Sequence, residues 1–182
     1  MTVREVVMLA AEELGILEEV QAYFDGEDVV GKSKAERLLT CFNLVENELA
    51  LDYFTLKRSE TVMSQGQIKF SVLQRSPVNI ISVTDGKDNP YEFSLYADYI
   101  QTTTGMVKIT YAYTPNTKTI DENSDFTMEV SARLMSYGMA AEYALAVGLV
   151  EEAALWDKKY KDAISALYKT SKGGRIAARR WA

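Results

Sequence analysis

The sequence predicts an α+β protein: a helical bundle of about five helices, an inserted small antiparallel β module and an extended C-terminal tail. Three observations carry this. Capping residues and apolar residues at helical spacing organise both ends of the chain. Between them, β-branched and aromatic residues alternate in runs with no helix separating them, which implies antiparallel pairing. The last fourteen residues, KTSKGGRIAARRWA, carry five basic residues and no acid, whereas the first 168 hold 15 basic and 26 acidic residues. The expected division is 1–59 with 120–169 as the bundle, 60–119 as the β module and 170–182 as the tail.

Thr2 and Glu5 form a capping box for a first helix over 3–13, which Gly15 stops, with Ile16 placed for the apolar contact that follows a glycine cap. A short second helix over 16–24 ends at Gly26. Ser33 and Glu36 read as a second capping box, opening a helix that runs to Tyr53. Leu38, Phe42, Val45 and Leu49 form one stripe along it. In the β module the clearest strands are VNIISV (78–83) and MVKITYAY (106–113). Asp85-Gly86 and Thr104-Gly105 read as turns, and Pro77 and Pro115 as brackets. Asp125 is the expected cap of a fourth helix over 126–147, rich in small residues that allow close backbone approach. After a break at Gly148, a fifth helix over 151–168 lines up Trp156, Tyr160, Ile164 and Leu167. Tyr143 and Trp156 are expected in the core.

Composition excludes several functions. The chain has no histidine, which removes His-based triads and the usual zinc sites. Its single cysteine, Cys41, sits in an apolar helical run and reads as a core residue. The acidic balance, net −6, argues against a general nucleic-acid binder. The N-terminus has acids within its apolar run and does not read as a signal peptide, and no apolar run is long enough for a membrane span. A cytosolic protein, or one assembled in a cytosol, is expected.

Gly26–Ser33, GEDVVGKS, matches the phosphate-loop pattern, and a helix follows it. The match lacks a preceding buried strand, carries Glu27 and Asp28 where phosphates would lie, and has no parallel sheet to belong to. A phosphate-loop nucleotide-binding enzyme is therefore the alternative function, and a helix–helix loop the plainer reading. DGKDN (85–89) departs from a calcium loop in its glycine position and lacks the closing glutamate. Adjacent acids such as Glu12-Glu13 do not face each other on a helix. No nucleophile, base and oxyanion donor assemble, so no catalytic residue, metal or cofactor is expected.

The tail has an internal logic. Gly173 and Gly174 form a hinge, Arg175, Arg179 and Arg180 supply donors, and Ile176 and Trp181 supply apolar anchors. A basic terminus without a specific partner, or one that touches DNA phosphates as part of a nucleic-acid accessory protein, are the competing readings. Trp beside Arg fits a protein groove better, since these residues dominate interface anchors.

The order of parts is AAEELGI, then LLTCFNLVENELALDYFTL, then SPVNIISVTDG and GMVKITYAYTP, then RLMSYGMAAEYALAVGLVEEAALWDKKY, then GGRIAARRW. In this order the chain resembles the head–tail connector (adaptor) proteins of tailed bacteriophages. The resemblance implies a structural virion protein of the neck, assembled in the host cytoplasm as a homo-oligomeric ring, a dodecamer, around a channel through which genomic DNA passes without specific binding. It implies two protein partners, the portal above and the next tail or neck protein below. Carried onto this sequence, Arg175, Ile176, Arg179, Arg180 and Trp181 become the portal-contacting residues. The β module is larger than the simplest helical members need. An acidic body agrees with a channel along which DNA slides without sticking.

Overall fold

The computed structural model describes residues 1–26, 29–127 and 130–171, with side chains through Tyr168. The described residues form two compact units: Met1–Glu46 with the residues from Thr117 to Ser171, and Asn47–Asn116. The fold is α+β, with five α-helices and an antiparallel sheet among the described residues.

The helical unit is built from α1 (Val3–Glu13), α2 (Leu17–Phe24), α3 (Lys32–Glu48, its last two residues in the other unit), α4 (Ala132–Ala146) and α5 (Val150–Ser171). The expected capping box of α1 is present: Thr2 Oγ1 accepts from the Glu5 N–H at 3.1 Å, and the Glu5 carboxylate accepts from the Thr2 N–H at 3.4 Å. Such a cap contributes about 1 kcal/mol. α1 and α4 end alike. Gly15 and Gly148 take φ of +68° and +85°, and the next N–H, of Ile16 or Leu149, reaches back to the carbonyl of Ala11 or Ala144 at 2.9 and 2.8 Å. Only glycine enters that left-handed region without steric cost.

Two expected helix starts are corrected. α3 begins at Lys32, so Ser33 lies in its first turn and does not cap it; the Ala35 N–H bonds the Gly31 carbonyl at 2.9 Å. The cause is close packing: a Cβ on Gly31 would lie 1.9 Å from the Glu19 carbonyl oxygen, so the chain turns hard against α2 and the helix starts at once. α4 begins at Ala132, capped by Ser131, whose Oγ accepts from the Leu134 N–H at 3.1 Å. Asp125 cannot cap it, because its carboxylate holds Lys118 Nζ at 2.7 Å. The residues after Thr117 instead form an irregular connector laid along the N-terminus. Val3 N–H donates to the Glu122 carbonyl at 3.0 Å, Ser124 N–H to that of Met1 at 3.2 Å, and Arg4 pairs with Asp121 at 3.2 Å.

α4 packs against both α1 and α5. Its small residues serve the purpose the sequence suggests. A Cβ on Gly138 would meet Val45 Cγ1 at 2.9 Å and Tyr160 Cε2 at 3.0 Å, so α3 and α5 both press on this point. Leu38, Phe42, Val45 and Leu49 are fully buried, Tyr160 and Ile164 nearly so, Trp156 is 9% exposed, and Leu167 is half-buried. Trp156 lies over Ala140 and Ala141, and Tyr143 is also buried.

In the second unit a single π-turn, Leu49–Tyr53, continues α3 before the sheet begins. The strands are β1 (Lys57–Lys69), β2 (Pro77–Thr84), β3 (Ser94–Leu95) and β4 (Tyr99–Tyr113). β4 is central, antiparallel to β1 on one side and to β2 and β3 on the other. Alternation gives one apolar face, with Ile68, Ile80, Val83, Ile100, Val107, Ile109 and Tyr111 buried under Phe70 and Leu73 of the β1–β2 connection and Tyr91 and Phe93 of the β2–β3 connection. The other face of the β1–β4 ladder stays exposed and pairs Met63 with Met106, Gln65 with Thr104 and Ser59 with Thr110. Asp85-Gly86 is a turn, closed by Asp85 Oδ1 accepting from the N–H groups of Lys87 and Asn89 at 2.7 and 2.9 Å.

Thr104-Gly105 is not a turn. It lies inside β4, opposite Gln65 and Ser64, beside a bulge between Gln65 and Gln67 where Gly66 and Gly105 both have positive φ. A glycine in a strand marks a bulge as readily as a turn. Pro77 does not bracket the module either: it opens β2, an edge strand, where its missing N–H is harmless.

Candidate functional site

Gly173, Gly174, Arg175, Ile176, Arg179, Arg180 and Trp181 lie outside the described residues. What is described is their support: α5 carries the chain through 22 residues to Ser171. The charge contrast around that support is regional. Residues 1–46 and 117–168 hold 19 acidic and nine basic residues, whereas 47–116 hold seven and six. The acid excess therefore belongs to the unit from which the basic tail departs.

Of GEDVVGKS, Gly26 follows α2, and Lys32 and Ser33 open α3. A phosphate loop needs a strand before it and a parallel sheet around it; Leu17–Phe24 is helical, and the described strands all pair antiparallel. Its residues have other duties. Gly31 packs on the Glu19 carbonyl, Lys32 pairs with Glu36 at 3.8 Å, and the neighbouring Lys34 pairs with Glu19 at 2.6 Å. DGKDN likewise satisfies itself: Asn89 Nδ2 donates to Asp85 Oδ2 at 2.8 Å, and Lys108 pairs with Asp88 at 2.9 Å. Asp85 is held below the usual carboxylate range by the Asn89 side chain and by the Asn89 and Lys87 N–H groups. Among the described residues no acids and cysteine converge as a metal-binding cluster. Cys41 is buried, and desolvation, with Glu142 nearby, pushes its thiol up to about 11, which keeps it neutral and unreactive.

The helical unit buries a polar cluster that the sequence reading missed. Glu46 is fully buried. Its Oε1 accepts from Ser124 Oγ at 2.6 Å and from the Asp125 N–H at 2.8 Å, while Oε2 has no hydrogen-bond partner among the described residues. Lys118, 6% exposed, pairs with Asp125, and Asn43 grips the Lys118 backbone from both sides, accepting its N–H at 2.6 Å and donating to its carbonyl at 3.2 Å. Desolvation raises the Glu46 carboxyl, and the Ser124 and Asp125 donors and Lys118 only partly offset it. The cluster pins the returning connector to α3, close to where the chain passes between the two units. A signal existed: Glu46 follows Phe42 by four residues and precedes Leu49 by three, which puts an acid on the apolar stripe.

The sheet unit has a counterpart. Glu60 Oε1 accepts from Tyr111 Oη at 2.5 Å and from Arg58 Nε at 2.9 Å, and the Gln74 N–H reaches both carboxylate oxygens at 3.3 and 3.2 Å. Burial alone would raise this carboxyl, but the donors from Tyr111, Gln74 and Arg58 together hold it below the ordinary range. Tyr111 is pushed up to about 12 by desolvation and by its bond to Glu60. The cluster anchors Gln74 and Arg75 over the sheet, since Arg75 N–H also donates to Tyr111 Oη at 3.3 Å.

The surface feature that stands out among the described residues is the tip between α4 and α5. Six consecutive apolar residues, Leu145–Val150, are all exposed. Leu145 is 58%, Leu149 46% and Val150 64% exposed, and Leu155, one turn into α5, is 55%. Glu151 and Glu152 follow directly in the first turn of α5. A contiguous apolar patch with a charged rim is the usual mark of an interaction surface. From sequence alone this stretch reads only as a helix break at Gly148.

Compared with known proteins, the chain matches no protein-family model and no curated protein.

Proposed function

We propose that this chain is a structural, non-enzymatic subunit of the head–tail connector ring of a tailed bacteriophage. The C-terminal tail docks into the portal, and the ring forms a channel for the genome. One observation carries the reading: an acidic helical unit delivers, at the end of its last helix, a tail of opposite charge that interleaves Arg with Ile176 and Trp181. The order of parts that resembles connector proteins supports it. So does the use of the buried polar groups, since Glu46 and Glu60 both hold backbone in place. An acidic wall repels phosphates and lets DNA slide, where a basic one would retain it. Arg175, Arg179 and Arg180 act as charge-assisted donors in the portal groove, with Ile176 and Trp181 as its buried anchors.

The test is removal of everything after Ser171, with circular dichroism to verify that the fold survives. Loss of attachment to portal-bearing heads, with an unchanged spectrum, is the expected result. Undiminished attachment contradicts the proposal.

A further inference from the structure

The α4–α5 tip and the C-terminal segment are complementary. The tip offers Leu145, Val147, Leu149, Val150 and Leu155 beside Glu151 and Glu152. The segment 172–182 offers Ile176 and Trp181 among Lys172, Arg175, Arg179 and Arg180. A helix N-terminus by itself favours anions, but two glutamates in the first turn give this one the opposite sign.

Reach decides whose segment fits. The tip sits at the start of α5 and the segment leaves from its end, so the two are separated by the helix length, about 33 Å for 22 residues. An extended chain from Ser171 to Trp181 covers at most about 33–36 Å, and to Ile176 only about half of that. A chain's own segment therefore brings Trp181 to the near edge of its own tip at Leu155, about 24 Å back along α5, but to Leu145–Val150 only when fully stretched, and never brings Ile176 to the tip.

We propose that the α4–α5 tip is the seat for the C-terminal segment of a second copy of this chain, Trp181 and Ile176 lying on the exposed leucines and valines and the arginines on Glu151 and Glu152. Tip and segment are different surfaces, so the contact is head-to-tail and repeats from copy to copy. On the portal reading above, a portal would compete for the same segment. The contact does not rest on that reading, because both halves are this chain.

The test is complementation, read by sedimentation velocity of the full-length protein. One variant carries a damaged tip, Leu145→Ser with Val150→Ser; another carries a damaged segment, Arg179→Ala, Arg180→Ala and Trp181→Ala. The native protein self-associates, increasingly so at low salt. Each variant alone associates at least about tenfold more weakly, and an equimolar mixture forms a heterodimer, because one good tip still meets one good segment. Should the tip variant lose its helical circular dichroism, Glu151→Lys with Glu152→Lys replaces it, with the same expected loss. A monomeric native protein overturns the proposal, as do variants that associate like the native protein or a mixture that stays monomeric.

Discussion

Glu46 in the helical unit is a fully buried carboxylate and Glu60 in the sheet unit a partly buried one, and their surroundings push them in opposite directions. Glu46 has two donors on one oxygen and none on the other, so desolvation prevails and its carboxyl is raised. Glu60 receives a phenol, a guanidinium and a backbone N–H spread over both oxygens, and its carboxyl is lowered. Depth of burial sets the desolvation that opposes the charge, and the number and placement of donors set what offsets it; the pair differs in both. The two units thus share a device, an acid that fastens a connecting segment, but only the sheet unit gains from ionising it.

The largest expected effect is on the helical unit. Glu46→Ala strands the Ser124 hydroxyl and Asp125 N–H in a dry site and weakens the balance around Lys118, at a cost of about 3 kcal/mol by urea denaturation. Glu46→Gln keeps the acceptor and removes the ionisation cost, so at neutral pH it stays within about 1 kcal/mol of the native protein. Equal losses in the two variants would show that the charge of Glu46 matters more than its acceptor.

Tyr111→Phe is next. It removes the shortest donor from Glu60 and the acceptor of the Arg75 N–H, costing about 1–2 kcal/mol in the same assay. The pH dependence separates the units further. A raised folded carboxyl means that the native state binds more protons than the unfolded one, so the cost of Glu46 is relieved as pH falls through its raised value towards the ordinary glutamate range. A lowered one means the reverse: the stability from Glu60 is present above the ordinary range and is lost as pH falls through it. Stability measured from neutral to acid pH should then show the gap between Glu60→Gln and the native protein closing only below the ordinary glutamate value. The gap for Glu46→Gln should change above that value. The smallest effect is expected from Val150→Ser, within about 0.5 kcal/mol for an exposed site, so a large loss there would mean that the tip belongs to the fold.

The helical ends were legible where local chemistry decides. Thr2 with Glu5, Gly15 and Gly148 act within one turn of their own residue, and the structure shows each as the sequence implies. Ser33 and Asp125 misled because a distant partner outranked a local preference: Gly31 is pressed against Glu19, and Asp125 is held by Lys118. Gly105 reads as a turn from sequence because nothing local reveals that Ser64 pairs with it across the sheet. The phosphate-loop match in GEDVVGKS showed the reverse weakness, a pattern without its architecture. Of the candidate site, charge and composition single out a tail that lies outside the described residues, whereas the exposed tip required knowing that Leu145–Val150 are not covered.

The central claim is most directly tested by electron cryomicroscopy of phage particles that carry this protein. A closed ring of this chain beneath the portal, with residues 172–182 entering the portal and Trp181 in an apolar groove, is the predicted image. A neck without such a ring, or a ring whose C-terminal segments point away from the portal, would contradict it.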